Sequence, residues 1–478
     1  MYQLNKCKVF ALGIFSLLLI SCIDTNIKKV DQVNDVWHQA RIIENSVKAP
    51  QFPDFSVNVL DYGAISDSIT LNTTAFSKAI NYCVSQGGGR VLVPKGVYLT
   101  GPIHLDNNIN IHLEEGAEIR FSTNPDHYYP LVHTSFEGIE LMNYSPLIYA
   151  KGKNNIGITG KGVLNGQASV QNWWLWKGSK DYGYQEGMPS QSDSLNLPTL
   201  MHMGQTNIAL DNRVFGKGHY LRPSFIEPFE CTNVLIRDVK IINAPFWIIH
   251  PFKSKNVLID NVYVQSHGPN NDGCDPEYSK NVVIKNSTFN TGDDCIAIKA
   301  GRDAEGRRVG ISSENILVKN CKMIDGHGGV VIGSEMSAGV KNIFIENCFM
   351  DSPNLDRAIR IKTNTRRGGF VDGIYVKNIV IGQVKEAVLK INMHYATHNN
   401  QIGEHMPIVK NIYLDSIQVA NGGRFVILAK GHESSTIKNI NISNVTVQKT
   451  ETPFSLDHVE SIHFKNTYIN NKLTTKSL

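Results

Sequence analysis

The chain is poor in the features that mark nucleic-acid binders, membrane spans, metal modules and helical repeats. Only 19% of its 478 residues are charged, and 47 Lys and Arg set against 43 Asp and Glu leave a formal charge of +4. So small an excess gives no sign of a nucleic-acid partner. None of the eight cysteines stands at the paired spacing of a metal site. Cys321 and Cys348 follow Asn in matching stretches, "VKNC" and "IENC", and so read as small buried residues of a repeat. Helical periodicity is missing from most of the chain, as are the blade signature of a propeller and the regular leucines of a horseshoe.

What the sequence does have begins at its N-terminus. Lys6 and Lys8 precede an apolar stretch from Val9 to Ile20, too short for a comfortable membrane span and arranged like an export signal. Its ending, Leu19-Ile20-Ser21-Cys22, resembles a bacterial lipobox, in which Cys22 would become the lipidated first residue; the alternative is an ordinary signal peptide with an incidental Cys. The expected organisation is a signal peptide over 1–21, a polar tether over 22–50 and one folded domain over 51–478. The protein would then be exported and held at a membrane, periplasmic or cell-surface, through its lipid alone.

From residue 233 onward one pattern recurs: a polar residue, usually Asn, then alternating apolar positions, then a polar turn. It reads "NVLIRDVKI" at 233, "NVLIDNVYV" at 256, "NVVIKNSTF" at 281, "NILVKNCKM" at 315 and "NIFIENCFM" at 342, with weaker copies at 373, 411, 439 and 461 and an earlier one near 154. Period-two alternation with β-branched residues signals strands, and Asn or Gly between short strands signals turns. The pattern predicts an all-β, single-stranded right-handed parallel β-helix, in which stacked coils bury a continuous apolar column. Residues 73–85, with Ala75, Phe76, Ala79, Ile80 and Cys83 near helical spacing, predict a short helix capping the column. Long segments at 120–150 and 167–225 carry Trp173, Trp174 and Trp176 and read as excursions that wall one side of the rod.

The repeat gives each residue an address. Asp272 lies 16 residues after Asn256, Asp293 and Asp294 lie 12 and 13 after Asn281, and His327 lies 12 after Asn315; Arg360 and Lys362 lie 18 and 20 after Asn342. These offsets put the six on neighbouring coils at similar positions, about 5 Å apart per coil. Three carboxylates so close cannot all ionise cheaply, so one should hold a proton near neutral pH and supply a general acid beside a general base. An adjacent Asp-Asp pair needs a bend to face one way, for which Gly292 offers freedom. Asp275 reads equally well as a turn residue capping backbone N–H groups. Calcium is disfavoured because Arg360 and Lys362 would oppose it, and no metal or organic cofactor is expected.

The stretches "PNNDGCDP", "TGDDCIAIK", "GHGGVVIGSE" and "RAIRIKT", in that order, resemble the four motifs of glycoside hydrolase family 28, the polygalacturonase family. The resemblance runs from "VNVLDYGA" at 57 to the last coils and implies a pectin-lyase-like solenoid that cleaves α-1,4-linked galacturonic acid with inversion. It implies Asp293 as general acid, Asp272 and Asp294 as the pair activating water, and His327 as the residue that tunes or orients the acid. Asn270, Arg360, Lys362 and Tyr395 would contact substrate, the two cations gripping a galacturonate carboxylate. Asn271 stands where many relatives have Thr. Acid and base would be expected about 6.5 to 9.5 Å apart. The implied partner is a pectic polysaccharide or oligogalacturonide, with exo action if the aromatic excursions close one end of the groove. Competing readings are a rhamnogalacturonan hydrolase of the same family, a calcium-dependent pectate lyase and a non-catalytic pectin-binding surface protein.

Overall fold

The computed structural model describes residues 36–396, 403–475 and 477. The Asn residues that open the repeats organise it. Asn256, Asn281, Asn315 and Asn342 all take φ of +55 to +58°, a left-handed turn that Asn tolerates better than other side chains with a Cβ. Each amide then donates to the Asn one coil earlier: Asn281 to Asn256, Asn315 to Asn281 and Asn342 to Asn315, at 3.2 Å each. The ladder aligns the strands that follow. Val257, Val282, Ile316, Ile343 and Ile374 stand opposite one another in parallel register, and all five are fully buried in the column.

One coil shows the pattern: Lys280–Lys285, Thr288–Thr291 and Ile296–Ile298 make three short strands separated by turns, each paired in parallel with its counterpart on the next coil. The parallel β-helix predicted from the repeat is therefore the observed fold. Helix Thr73–Ser85 covers the N-terminal end, burying the five residues expected from its spacing. At the other end Thr467–Ile469 pairs antiparallel with Lys472–Thr474, which turns the chain back instead of leaving an open parallel edge. The excursions carry a hairpin, Val132–Phe136 with Ile139–Asn143, and helix Leu197–Thr206. Phe136, Leu141, Leu200, Phe215 and Phe246 join them into a second apolar cluster outside the column.

Residues 22–50, expected to form a polar tether, divide. Residues 22–35, with Cys22, lie outside the described residues, as does the whole signal segment. Residues 36–46 form a helix whose Ala40 and Ile43, with Val47 just beyond, pack on Leu235, Leu258, Val283, Leu317 and Phe344. Those five are the outward positions of the repeat strands, where "NVLI" and "NIFI" put an apolar residue that needs cover. Lys319 pairs with Glu44 at 2.9 Å and Lys377 sits 3.8 Å from the Trp37 ring. The spacing of Trp37, Ala40, Ile43 and Val47 is helical, but the charges between them hide it in a window that short. The packed body thus starts by residue 36, not 51. No helix of the described residues is long and apolar enough to cross a membrane.

Replacing Asn281 with Ala removes both ladder bonds and puts a Cβ-bearing residue with no compensating amide at φ +57°. A loss of about 2 kcal/mol is expected, read from the urea midpoint. Asn281→Gly, which keeps the turn but not the ladder, should lose less.

Candidate active site

The third strand of each coil and the turn that enters it build the site. Cys274, Ile296, Val330 and Ile359 are successive partners in this sheet. Asp272 and Asp294 each stand two residues before such a partner, and the backbone joins them, Gly273 N donating to Asp294 O at 3.0 Å. Gly328 holds the equivalent place on the next coil, its carbonyl accepting from Cys295 N at 2.8 Å. A Cβ there would lie 2.4 Å from Val331 and 3.1 Å from the Asp294 carboxylate, so only Gly leaves the Asp294 side chain its room. The chain does bend at 292–293. Gly292 serves it by closeness rather than by an unusual φ: a Cβ would come 2.7 Å from the His267 backbone.

The stacking brings every residue expected at the site to one patch. One oxygen from each of Asp272, Asp293 and Asp294 lies within 4.8 Å of the other two. Asp293 Oδ1 accepts from Asp294 N at 2.9 Å and lies 3.1 Å from His327 Nδ1. Asp294 is held by Lys362 at 2.6 Å and Arg360 at 3.4 Å. Both cations lie 5.3 Å from the centre of the Tyr395 ring. Asn270 closes the other side, its Oδ1 accepting from Lys177 at 3.0 Å and Arg222 at 2.8 Å. Asn271 is wholly internal, its amide bonded to Ser266, Gly268, Ala244 and Phe246.

Several residues escaped the sequence. Lys299 ends the "TGDDCIAIK" stretch and its ammonium lies 3.3 Å from Asp272, 3.6 Å from Asp275 and 3.4 Å from Glu335, with Trp247 4.5 Å away. Glu335 is tied in turn to Arg367 at 3.2 Å. The signal for Lys299 was available: Ile296 and Ile298 before it face the column, so alternation turns Lys299 outward to the groove. Asp275 caps no backbone N–H; it is fully buried behind Asp272 with Lys299 as its nearest cation. Arg222 and Lys177 sit on the 167–225 excursion, whose path no repeat specifies. Trp173 is buried against Tyr128 and Trp176, which makes it packing rather than a sugar platform.

Burial and the neighbouring Asp293 charge push Asp272 up to about 7, and burial with the nearby Asp272 raises Asp275 well above the usual range. Burial alone would raise Asp293 too, but the bond from His327 and the charge of Lys362 outweigh it and hold that carboxyl low. His327 is raised by the same bond. Of the three carboxyls expected to share a proton, Asp272 is the one pushed toward holding it near neutrality. The carboxylate spacing also differs from expectation: oxygens within 4.8 Å fall short of the roughly 6.5 to 9.5 Å usual for inversion. Adjacent coils are spaced by strand pairing, about 4.8 Å, and set that limit. Three such carboxylates have the density of a cation site, yet Lys299, Arg360 and Lys362 already supply the positive charge that the Asp272 and Asp294 oxygens would otherwise draw from a metal.

Beside this cluster the floor of the groove holds a second charged group. His250, fully buried, lies 3.1 Å from Glu227 and 3.0 Å from Glu277. Burial would lower its pKa, but the two carboxylates outweigh that and lift it to about 9.

Comparison with known proteins adds the following. The sequence model of "Glycosyl hydrolases family 28" matches residues 211–473. An "Exo-poly-alpha-D-galacturonosidase" of Dickeya chrysanthemi is 28% identical over 449 residues, covering 87% of this chain and 71% of that protein. A "Probable polygalacturonase" of Vitis vinifera is 27% identical over 426 residues, covering 85% and 78%. Among solved structures, a hyperthermoactive exopolygalacturonase from Thermotoga maritima superposes with a TM-score of 0.88 at 43% identity, covering 93% of this chain and 98% of that one.

The His250 group makes stability depend on pH in a defined direction. Its folded pKa lies above the ordinary 6.5, so its contribution is complete below about 6.5 and is lost as pH rises through about 9, amounting to about 3 kcal/mol. The thermal midpoint of the protein should fall over that interval. In His250→Gln it should start lower and vary less between pH 6.5 and 9.5.

Proposed function

This chain belongs to glycoside hydrolase family 28, and on that footing we propose that it hydrolyses α-1,4-linked galacturonic acid in pectin from a chain end. The observation that carries the reading is three carboxylates gathered in one patch, with His327 bonded to Asp293 and with Arg360 and Lys362, both against the Tyr395 ring, bonded to Asp294. Two cations in line with an acid cluster suit a substrate that carries one carboxylate per sugar. Relatives that are exo-acting by name, in Dickeya chrysanthemi and Thermotoga maritima, support end-wise action. So does the 167–225 wall, which reaches the Asp272 side of the groove through Lys177 and Asn270.

In this reading Asp293 protonates the departing oxygen while Asp272 and Asp294 hold the attacking water, whose proton passes to Asp272 once that residue has given its own to Asp293. The proton resting on Asp272 reaches Asp293 once substrate is bound. Galacturonate carboxylates neutralise Lys362 and Arg360, which removes part of what holds Asp293 low, and the sugar strips water from His327, half exposed in the free protein. Asp272 and Asp294 are nearly inaccessible, with oxygens bound to Lys299, Arg360 and Lys362. Oxygens so engaged orient water better than they attack an anomeric carbon, which favours inversion despite the short spacing.

Incubation with polygalacturonic acid should release galacturonate, without calcium and without the ultraviolet absorbance of an unsaturated product; release from rhamnogalacturonan in its place would transfer the assignment to that substrate. Proton NMR of the first product should show the inverted anomer. Asp293→Asn should lower kcat by about 100-fold or more, with oligogalacturonide still bound. The proton that titrates at about 7 on Asp272 belongs to the carboxylate cluster as a whole, so kcat/KM should fall as pH rises through that region. A rate still climbing at pH 8 would contradict this proton inventory.

The N-terminus supports a second, separate proposal: export, with the lipid on Cys22 as the only membrane attachment. Lys6, Lys8 and the apolar stretch ending in Leu19-Ile20-Ser21-Cys22 carry it. Labelled palmitate should enter the full-length protein expressed in a bacterium and fail to enter Cys22→Ser.

A further inference from the structure

Most cations at the site have a carboxylate partner: Lys299 with Asp272, Asp275 and Glu335, Lys362 and Arg360 with Asp294, Arg367 with Glu335. Lys177 does not. Among the described residues its ammonium makes one hydrogen bond, to the neutral Asn270 Oδ1 at 3.0 Å, and two of its three donors are left over. Arg222 also lacks a carboxylate, but two backbone carbonyls, Gln191 and Asn270 take bonds from both its Nη groups, and only its buried Nε is left without a partner. Burial pulls the Lys177 pKa below its ordinary value, against the charges of Glu137, Asp293 and Asp272 nearby. An ammonium taken this far out of water without an anion is unfavourable unless a ligand provides one.

Lys177 is also held firmly. It ends the short helical turn Trp173–Lys177, which is anchored by buried Trp173 and by Trp174, whose indole donates to Ala244 O at 2.9 Å. Through Asn270 it sits on the coil of Asp272, whereas Arg360 and Lys362 sit three coils further along. The strand of Arg360 and Lys362 lies about 15 Å from that coil, though the Lys362 side chain reaches back to within 2.6 Å of Asp294. The two cationic sets thus approach the acid cluster from different coils, one for the sugar on each side of a bond broken there.

We propose that Lys177 is the anion grip for the sugar on the non-leaving side of the bond, binding the carboxylate of a uronic acid at the non-reducing end. The inference rests on the hydrolase reading above and extends it to a residue on the excursion. The leaving sugar is gripped by Arg360 and Lys362, and the retained sugar by Lys177, so both neighbours of the scissile bond must carry a carboxylate. Asn270 positions Lys177 and Arg222 together and accounts for its own place at the site.

The test uses the full chain, wild type, Lys177→Met and Lys177→Arg, with trigalacturonate and with the same trimer methyl-esterified only at its non-reducing sugar. The wild type should prefer the free acid on the order of 30-fold in kcat/KM, the value of a charge-assisted hydrogen bond. Lys177→Met should lose that preference, mainly through a higher KM for the free acid, and Lys177→Arg should recover part of it. An unaltered preference in Lys177→Met overturns the assignment of Lys177 while leaving the hydrolase reading standing. A wild type that cleaves neither trimer nor polygalacturonic acid overturns the hydrolase reading itself. A Lys177→Met protein with a lowered thermal midpoint and equal loss on both trimers points to a structural role and also overturns the grip.

Discussion

Parallel pairing in strict register is the constraint from which the rest of this molecule follows. Once Asn281 is bonded to Asn256 and Asn315 to Asn281, every later residue of a coil is delivered to a place beside its counterpart, one strand spacing away. Asp272 and Asp294 become neighbours because Cys274 and Ile296 are partners. The same pairing sets the closeness of the carboxylates, and their burial together with the mutual repulsion that follows pushes Asp272 up to about 7. A slip of one residue would turn these side chains into the dry column.

The groove is expensive to build, since it removes several carboxylates and cations from water together. Its stability comes from alternation of sign: Lys299 and Glu335, then Arg367, form one chain of opposite charges, and Asp294 with Lys362 and Arg360 another. Glu227, His250 and Glu277 repeat the device beneath the floor. Against such a background an unpaired cation is conspicuous. The site is preorganised for an anionic polymer because the protein has already met the desolvation of its fixed charges, leaving particular donors for the ligand to satisfy.

Legibility in the sequence followed locality. The strands, the Asn turns and the helix at 73–85 were readable because each repeats a short pattern whose cause is near in sequence. The common patch of Asp272, Asp293, Asp294, His327, Arg360 and Lys362 was readable because the repeat converts spacing along the chain into position around the rod. Helix 36–46 was missed because its apolar face is completed by residues some 200 to 300 positions away, Leu235 to Phe344. Lys299 was overlooked although its alternation was visible. Lys177 and Arg222 could not be placed, since the excursion that carries them has no repeat to lend it an address.

Sequence alone determined the solenoid, its coil boundaries and which side chains share a face, because period-two alternation and Asn turns act over a few residues and stack without further instruction. Tertiary structure decided which of these charges are buried together, the pairing of Lys299 with Asp272 and Glu335 and the wall at Lys177. Those depend on burial and on distances between segments remote along the chain, and neither quantity is encoded in any local pattern.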